Sequence, residues 1–383
     1  MSSAPSPLTD YPFVRLDRIK SELRAAGRRV IDLGVGEPQE ETPEFIRAAL
    51  AAALDPRAPY PRAAGLPELR EAAAGWCRER FSVAVDPESE VIPTLGSKEP
   101  IFSLPQVLAP PGSDKDLVVT TTPGYPIPGH GARAVGADVV EVPLAPEEGW
   151  LPARGALADV EWGRVALFWV NYPNNPTGAV AGLSFFEEMA GLAAEHGFVL
   201  ASDEAYVDIY FDSPPPSALE VTDRSHVVAF HSLSKRSAMP GYRSGFAAGA
   251  EWIIDRLKQH RPYSGTTPQA FVQKASAAAW SDAAHAADMR AVYGTKREVF
   301  LDVFHRHGLR VEGSEGSFFL WLRVPGAEPA SEFAERLARS GVIVAPERFF
   351  GPRDQHVRIS LVVPLAECEE AAVAICQAAD RSR

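Results

Sequence analysis

The segment His231-Ser232-Leu233-Ser234-Lys235-Arg236 follows directly on an apolar run, residues 227–230, whose pattern is typical of a buried strand. Lys235 therefore stands just beyond the carboxyl end of a predicted strand, among small hydroxyl residues. Arg243 follows in the stretch Pro240-Gly241-Tyr242-Arg243-Ser244-Gly245-Phe246, where a second apolar run begins. The pattern predicts one lysine and one arginine held in fixed positions at the end of a sheet.

A lysine in such a position suits covalent chemistry with an aldehyde cofactor. Its amine can form a Schiff base with the aldehyde, while the serine hydroxyls and the arginine hold a phosphate. The alternative is an ordinary surface lysine in a loop, since Ser-x-Ser-Lys alone is a weak signal. The chain contains only seven lysines, which favours a specific role for the one that stands at a strand end.

Length, charge and cysteine content limit the class of protein. The 383 residues can bury a large core in two domains, and the net charge of −12 argues against binding to nucleic acid or to an anionic membrane. Three cysteines without paired spacing indicate reduced thiols. With no long apolar stretch and no clustered metal ligands, we expect a soluble, cytoplasmic protein without a metal site.

Short apolar strands alternate with helices from residue 91 to residue 250. This order predicts an α/β fold with a mostly parallel central sheet that is covered by helices on both faces. Ligands bind such sheets beyond the carboxyl ends of the strands. The polar clusters that follow the predicted strands occupy residues 96–99, 122–126, 171–178, 202–206 and 232–235.

The remainder of the chain predicts a second, smaller α+β unit. Strands are expected at residues 310–311, 317–322 and 357–361, with helices at about 283–307, 330–340 and 366–380. We divide the chain into an N-terminal arm that also contributes to the small domain (1–40), a large domain that binds the cofactor (41–285) and a small C-terminal domain (286–383). Thr42 and Pro43 are predicted to begin a helix, with a capping residue and a proline in its first turn.

Four motifs together resemble those of the class I/II aminotransferases. The motifs are Asn171-x-x-x-Asn175-Pro-x-Gly, Asp203-Glu-x-Tyr206, Ser232-x-Ser-Lys235 and Arg243-x-Gly. They stand in the order of that family, and the resemblance covers nearly the whole chain. It implies pyridoxal 5′-phosphate (PLP) as cofactor and the aspartate-aminotransferase fold, also called fold type I.

The resemblance implies a role for each motif residue. Lys235 would hold PLP as a Schiff base and later carry the proton between the substrate and the cofactor. Asp203 would face the pyridine nitrogen and keep it protonated. Tyr206 and Asn175 would donate hydrogen bonds to the 3′ oxygen of the ring. Tyr125 would stack on the ring, although a tyrosine between prolines can equally be a loop aromatic.

The phosphate and the substrate have their own expected residues. By resemblance, the phosphate would be bound by Gly96, Ser97, Lys98, Ser232 and Arg243, the first three through main-chain amides. Arg358 would hold the α-carboxylate of the substrate, assisted by Gly36 and Asn175. Tyr60 would reach the phosphate in a neighbouring subunit, which implies a homodimer with shared active sites.

The substrate itself is left open by these motifs. Tyr-Pro-Phe-x-x-Leu at residues 11–16 and the segment around Lys235 look most similar to N-succinyldiaminopimelate aminotransferases, with glutamate as the amino donor. A second arginine for a side-chain carboxylate could be any of Arg15, Arg62, Arg133 and Arg236. The alternative enzymes are an aminotransferase of another amino acid, such as aspartate, alanine or an aromatic one, and a PLP-dependent β-lyase on the same fold. A PLP-fold regulator of transcription would need a DNA-binding domain that residues 1–30 are too few to form.

Overall fold

The computed structural model describes residues 13–57 and 59–382; Tyr11 and Pro12, and the side chains of residues 13–16, lie outside the described part. The helices are α1 Phe13–Ala25, α2 Glu44–Ala52, α3 Pro67–Phe81, α4 Lys98–Leu108, α5 Ile127–Ala134, α6 Arg154–Ala158, α7 Leu183–His196, α8 Leu233–Arg236, α9 Glu251–Ser264, α10 Ala270–Trp280, α11 Ala284–Arg306, α12 Ala330–Arg339 and α13 Leu365–Asp380. The strands are β1 Ile31–Asp32, β2 Val91–Thr94, β3 Leu117–Thr122, β4 Asp138–Ala145, β5 Leu151–Pro152, β6 Val165–Asn171, β7 Val199–Asp203, β8 Val227–Ser232, β9 Gly245–Gly249, β10 Phe319–Arg323, β11 Val342–Ile343, β12 Ala345–Pro346 and β13 His356–Ser360.

An eight-stranded sheet in the order β2-β9-β8-β7-β6-β3-β4-β5 forms the centre of the molecule. The five strands from β8 to β4 run parallel, and antiparallel pairs occur only toward the two edges, at β8–β9, β2–β9 and β4–β5. Every residue of β6, β7 and β8 is buried, as expected for strands covered on both faces. The predicted mostly parallel α/β sheet is confirmed.

The register of the three central strands decides which side chains meet at the edge. Asn171 at the end of β6 pairs with Asp203 at the end of β7, and Asp203 pairs with Phe230 in β8. Strand β8 continues for two residues to Ser232, and α8 begins immediately after it. The carboxyl ends of β6, β7 and β8 therefore bring the motifs around Asn171, Asp203 and Lys235 to one edge of the sheet.

A second, antiparallel sheet of order β10-β13-β12 lies in the C-terminal part of the chain. Strand β10 begins at Phe319, because Ser317, where we predicted the strand to begin, has a left-handed φ of 62°. The predicted strand at residues 310–311 is reduced to one bridge, between Val311 and Leu322. From the other end of the chain, β1 pairs with β11. The division at residues 40 and 285 stays a prediction.

The beginning of α2 differs from the prediction. Pro43 occupies the N-cap position, and the Thr42 hydroxyl donates instead to the carbonyl of Ala238, 2.6 Å away. A proline at this position supplies no side-chain acceptor for the first N–H groups of the helix. Thr42 therefore ties the start of α2 to the segment that follows Lys235.

Within the described residues, no helix combines the length and apolar character needed to cross a membrane. Nor do three His, Cys, Asp or Glu side chains in this part of the chain converge as ligands for a metal ion. Cys77, Cys368 and Cys376 are buried and form no disulfide.

Close packing of α5 on α4 gives a test of the fold. A Cβ atom at Gly131 would lie 2.4 Å from the carbonyl oxygen of Phe102, whereas one at the exposed Gly155 would meet nothing within 4 Å. We expect Gly131→Ala to destabilise the protein by about 1–3 kcal/mol through overpacking. Gly155→Ala, the matched control, should be neutral or stabilise by up to about 1 kcal/mol. Denaturant unfolding midpoints of both variants measure the difference, and equal midpoints would contradict the close approach of α5 to Phe102.

Candidate active site

A cavity of about 850 Å³ opens at the carboxyl ends of the central strands. Of the residues to which the resemblance assigns a role, all except Gly96 and Tyr60 line it. The lining residues from that set are Gly36, Ser97, Lys98, Tyr125, Asn175, Asp203, Tyr206, Ser232, Lys235, Arg243 and Arg358. Side chains that are far apart in sequence are thus brought into one cavity.

Lys235 lies in the middle of this cavity. The short helix α8 follows β8 without a loop, and Ser232 caps it by accepting a hydrogen bond from the amide of Ser234. The half-buried Lys235 amine donates to the carbonyl of Gly36. Burial, and then the positive charge of Arg358, lower the pKa of this amine to about 8. A substantial fraction is therefore neutral, and able to act as a nucleophile, at mildly alkaline pH.

Asp203 is held at the end of β7 with 6% of its surface exposed. The Asn171 side-chain amide donates to the Asp203 carbonyl at 2.8 Å, and the Ala205 amide donates to its carboxylate at 3.2 Å. Burial raises the pKa of the carboxyl to about 7, although the hydrogen bonds from Ala205 and Ser97 oppose this change. A cationic ring nitrogen placed beside it would favour the ionised form.

A second part of the cavity lining concentrates hydroxyl and basic groups. Ser97 occupies the N-cap of α4, so the first amides of that helix face the same space as Lys98. Burial lowers the pKa of Lys98, and the positive charge of the nearby Arg243 lowers it further. Ser234, which sequence reasoning did not single out as a site residue, lines the cavity beside Ser232. An anion is the ligand that such a set of groups accepts.

Gly96 has a structural role beside Arg243. Its φ is +69°, and a Cβ atom there would lie 2.9 Å from a guanidinium nitrogen of Arg243. The glycine therefore leaves space for Arg243, which donates to the carbonyls of Leu95 at 2.8 Å and Pro240 at 3.1 Å. Tyr60, the other exception, is fully exposed.

Arg358 on β13 brings the smaller sheet to the cavity. It donates to the side-chain oxygen of Asn175 at 2.7 Å and to the carbonyl of Gly34 at 2.6 Å. The guanidinium carbon lies 4.2 Å from the ring centre of Phe319 and 4.7 Å from that of Phe350. Packing between aromatic rings fixes the plane of the guanidinium, which suits two-point binding of a carboxylate.

Two tyrosines complete the wall around Lys235. Tyr206 is buried, with its ring centre 5.5 Å from that of Phe318 and 5.3 Å from that of Phe319. Tyr125 is half-buried and follows Gly124, whose amide donates to the carbonyl of Phe350 at 2.8 Å. Residues of the large sheet and of the C-terminal sheet therefore form the cavity jointly.

The N-terminal segment supplies a part of the wall that the motifs did not reveal. Lys20, 8% exposed, lies 2.5 Å from a carboxylate oxygen of Asp17 and 2.9 Å from one of Asp32, and all three residues line the cavity. Asp32 also accepts from the amide of Gly34 at 3.0 Å. A Lys three residues after an Asp on α1 is an ordinary surface pattern, so nothing in the sequence signals that this pair faces a site.

Two of the four arginines considered for a side-chain carboxylate are engaged elsewhere. Arg236 is buried in an ion pair with Asp208 at 2.6 Å, and Arg133 pairs with Glu141 at 3.2 Å. Neither lines the cavity, so neither is placed to bind a substrate carboxylate there. Arg62 is exposed and also lies outside the lining, and the side chain of Arg15 lies outside the described residues.

The donor set fits PLP. The hydroxyl and basic groups of Ser97, Ser232 and Arg243 would hold a phosphate, and the buried carboxyl of Asp203 would hold a protonated ring nitrogen. The amine of Lys235 in the same cavity would condense with an aldehyde. The chemistry of the three parts of the cavity thus corresponds to the three functional groups of the cofactor.

Comparison with known proteins agrees with this geometry. Residues 28–375 match the family described as "Aminotransferase class I and II". The chain is 36% identical over 372 residues to an LL-diaminopimelate aminotransferase of Nitratidesulfovibrio vulgaris, with 95% of each chain covered. Two solved structures from Thermus thermophilus are similar throughout. A probable N-succinyldiaminopimelate aminotransferase has 34% identity and a TM-score of 0.89, covering 96% of this chain and 99% of that one. An aspartate aminotransferase with maleate has 30% identity and a TM-score of 0.90, covering 99% and 100%.

The family match spans most of the chain, and the three proteins just named are aminotransferases that align with it over nearly their full lengths. The resemblance of the motifs, the fold type and the expected cofactor are therefore confirmed. The protein belongs to the class I and II aminotransferases, which are PLP-dependent enzymes that act on amino acids and keto acids.

Proposed function

We propose that this aminotransferase takes the amino group from LL-diaminopimelate and passes it to 2-oxoglutarate, which becomes glutamate. The observation that carries the choice of substrate is the charged wall formed by Asp17, Lys20 and Asp32 on the cavity that also contains Lys235 and Arg358. The relatives named LL-diaminopimelate aminotransferase support the same choice.

The reacting end of the substrate would be handled by the motif residues. Bound PLP supplies the electron sink that makes the substrate Cα proton acidic. The Arg358 guanidinium would hold the α-carboxylate, exchanging its hydrogen bond with Asn175 for one with the substrate. Lys235, with its pKa lowered to about 8, can accept the Cα proton at its amine and return it. Asp203 would stabilise positive charge on the ring nitrogen from its buried position at the strand end.

The far end of the substrate would meet the N-terminal wall. Lys20 bonds two carboxylates, so the group of three carries a net charge of −1, and Glu37 in the same lining adds a further negative charge. Diaminopimelate ends in an ammonium group and a carboxylate, which complement this mixture of charges. A tail of the same length that carries two carboxylates and no ammonium would meet one already-paired lysine and an excess of negative charge. 2-Oxoglutarate is two carbons shorter than diaminopimelate, so its second carboxylate stays closer to Arg358 and Lys235.

The N-succinyl compound, which the similarity at residues 11–16 favoured, is the second candidate. The neighbour named a probable N-succinyldiaminopimelate aminotransferase supports it. Its succinyl group replaces the distal ammonium with a neutral amide and a carboxylate. The end that the N-terminal wall would contact is therefore zwitterionic in LL-diaminopimelate and carries two negative charges in the succinylated compound.

A panel of amino donors separates these possibilities. With 2-oxoglutarate as acceptor, we expect kcat/KM for LL-diaminopimelate to exceed that for N-succinyl-LL-diaminopimelate, aspartate and alanine by about tenfold or more, or ~1.4 kcal/mol of transition-state binding. Glutamate formation is measured for each donor. A preference for the succinylated donor or for aspartate would contradict the proposal, and ammonia release without a keto acid would indicate a lyase.

Asp17→Asn tests the wall directly, with Glu22→Gln as its control on the exposed surface of the same helix. Asp17→Asn should lower kcat/KM for LL-diaminopimelate about fivefold to tenfold while leaving alanine, which has no tail, unchanged. The ratio of the two substrates isolates the contact with the tail from any change in folding. Glu22→Gln should leave this ratio as in the wild type, and a wild-type ratio in Asp17→Asn would exclude the wall as a determinant.

The lowered pKa of Lys235 predicts how the apoprotein captures its cofactor. The neutral amine condenses with the aldehyde and loses water, so the rate should rise with pH through a midpoint near 8 and level off above it. Borohydride trapping at a series of pH values, followed by peptide analysis, measures the rate at Lys235. Lys235→Ala should give no labelled peptide at this position. A midpoint near the ordinary lysine value of 10.5 would contradict the effect of burial.

We also propose a homodimer in which Tyr60 reaches the cavity of its partner. The side chain is fully exposed, so it is free to enter a second copy. A groove of about 1190 Å³ lies beside the cavity and shares Lys98, Pro240 and Arg243 with it. Apolar side chains such as Leu50, Phe102 and Phe271 line this groove, which suits burial against a second chain.

Subunit complementation tests the shared site. Lys235→Ala and Tyr60→Ala homodimers should each be impaired, and mixing them should restore one intact site per heterodimer, up to about a quarter of wild-type activity with random exchange. Tyr263→Ala, at another highly exposed tyrosine, serves as the control partner for Tyr60→Ala. A mixture of these two variants should show only the activity that the Tyr263→Ala chains contribute by themselves. If exchange is demonstrated, Tyr60→Ala is strongly impaired and activity does not recover, each site is built from one chain.

A further inference from the structure

Arg236 follows Lys235 in the chain, but its guanidinium lies outside the cavity lining, in a buried polar cluster. Its Nε donates to the carboxylate of Asp208 at 2.6 Å. Its two Nη atoms donate to the carbonyls of Ala279 and Asp282, each at 2.8 Å. The guanidinium carbon also lies 5.1 Å from the ring centre of Trp280. With 3% of the side chain exposed, solvent contributes little to holding this charge, and the cluster must do so.

The cluster joins three segments that belong to different parts of the site. Arg236 ends α8, which contains Lys235. Asp208 stands shortly after Asp203 and Tyr206 in the segment that leaves β7. Ala279 and Asp282 flank the junction between α10 and α11, and α11 packs against the C-terminal helix α13. One guanidinium thus connects the lysine to the aspartate segment and to the start of the helix that enters the smaller unit.

Asp208 provides the fixed point of the cluster. Its carboxylate accepts from Arg236 and, at 3.0 Å, from Arg80, while its main-chain carbonyl accepts from Arg290 on α11 at 3.1 Å. Burial raises its pKa, but the charges of Arg236 and Arg80 outweigh burial and leave the pKa below the ordinary value. The carboxylate is therefore ionised and its charge is compensated on both sides.

A hydrogen-bonded chain of Ser237, His285 and Asp282 completes the cluster. The Ser237 oxygen lies 2.8 Å from Nε2 of His285, and Nδ1 of His285 lies 2.7 Å from the Asp282 carboxylate. The order resembles that of a hydrolytic triad, but Ser237 has no exposed surface and cannot meet a substrate. Nε2 also lies 3.2 Å from a guanidinium nitrogen of Arg236. Since a guanidinium can only donate, the imidazole accepts a hydrogen bond at Nε2 and helps to fix the position of the guanidinium.

We infer that Arg236 is a positioning residue, which keeps Lys235 in register with Asp203 by fixing both of their segments to the α10–α11 junction. The inference rests on the proposed roles of Lys235 and Asp203. Arginine is needed because its planar fork serves Asp208 and two carbonyls at once. An ammonium at the end of a lysine chain can reach one of them and leaves the others unbonded.

Arg236→Lys tests this role while keeping the charge. When α8 is held less firmly, the Lys235 amine spends more time in contact with solvent and farther from Arg358. Burial and the charge of Arg358 are the two main causes of its lowered pKa. The pH midpoint for covalent attachment of PLP to Lys235 should therefore rise by about half a unit or more. In turnover, kcat should fall about tenfold or more with KM for the amino donor nearly unchanged, because Arg358 is untouched.

Arg80→Lys is the matched control. Arg80 shares the Asp208 carboxylate, but its other hydrogen bonds go to the carbonyls of Val207 and Pro215. Arg80→Lys should keep the wild-type midpoint and a kcat within about twofold of wild type. A wild-type midpoint in Arg236→Lys, or the same shift in Arg80→Lys, would overturn the positioning role.

Asp208→Asn gives a second route if Arg236→Lys does not fold. The amide oxygen still accepts from Arg236 but with a weaker bond, so the attachment midpoint should rise in the same direction by a smaller amount. An unchanged midpoint in this variant would also overturn the role. The attachment assay requires no turnover, so it decides the inference even if the wild-type enzyme does not use the proposed substrates.

Discussion

The register of three parallel strands is the constraint on which the site depends. Asn171, Asp203 and the residues that follow Phe230 stand level at the carboxyl edge because β6, β7 and β8 pair in that register. A shift by one residue would turn Asp203 toward the opposite face of the sheet. The hydrogen bond from the Asn171 side chain to the Asp203 carbonyl at 2.8 Å continues the ladder beyond the last strand pair. The packing of these uniformly buried strands thus determines where the ionisable groups stand.

Around this rigid edge, the remaining groups come from distant parts of the chain. Arg358 reaches Asn175 across 183 positions and Gly34 across 324. Lys235 bonds the carbonyl of Gly36, two residues after Gly34, so the loop between β1 and α2 contacts both principal cations of the cavity. The pairing of β1 with β11, together with a hydrogen bond from the Ser360 amide at the end of β13 to the Leu33 carbonyl at 2.9 Å, holds this loop against the C-terminal sheet. The site is therefore a product of long-range folding rather than of any single segment.

Sequence reasoning was most successful where function and local structure share a short motif. The strand ends, the parallel sheet and the lining positions of Lys235, Asp203 and Arg358 followed from apolar runs with polar endings and from their resemblance to a family.

The features that the sequence did not reveal depend on tertiary contacts. Arg236 was considered a ligand for a substrate carboxylate, but the sequence does not show that Asp208 lies beneath it. The run that begins at Ser317 predicts a strand, but the left-handed backbone of Ser317 moves the start of β10 to Phe319. The wall of Lys20, Asp17 and Asp32 depends on how α1 packs, which no local pattern encodes.

The separation of charge in this molecule affects how anionic substrates arrive. The chain as a whole carries a net charge of −12, whereas the cavity is lined by five basic side chains against four acidic ones, with Lys98, Lys235, Arg243 and Arg358 among the basic ones. In dilute buffer the negative body repels a dicarboxylate at long range, before it reaches these cations. At physiological ionic strength the field is screened beyond about 8 Å. The distant repulsion then disappears, while the attraction inside the cavity, where little solvent intervenes, persists. Moderate salt should thus accelerate the encounter with anionic keto acids, the reverse of its effect on an enzyme that steers substrates with its overall charge.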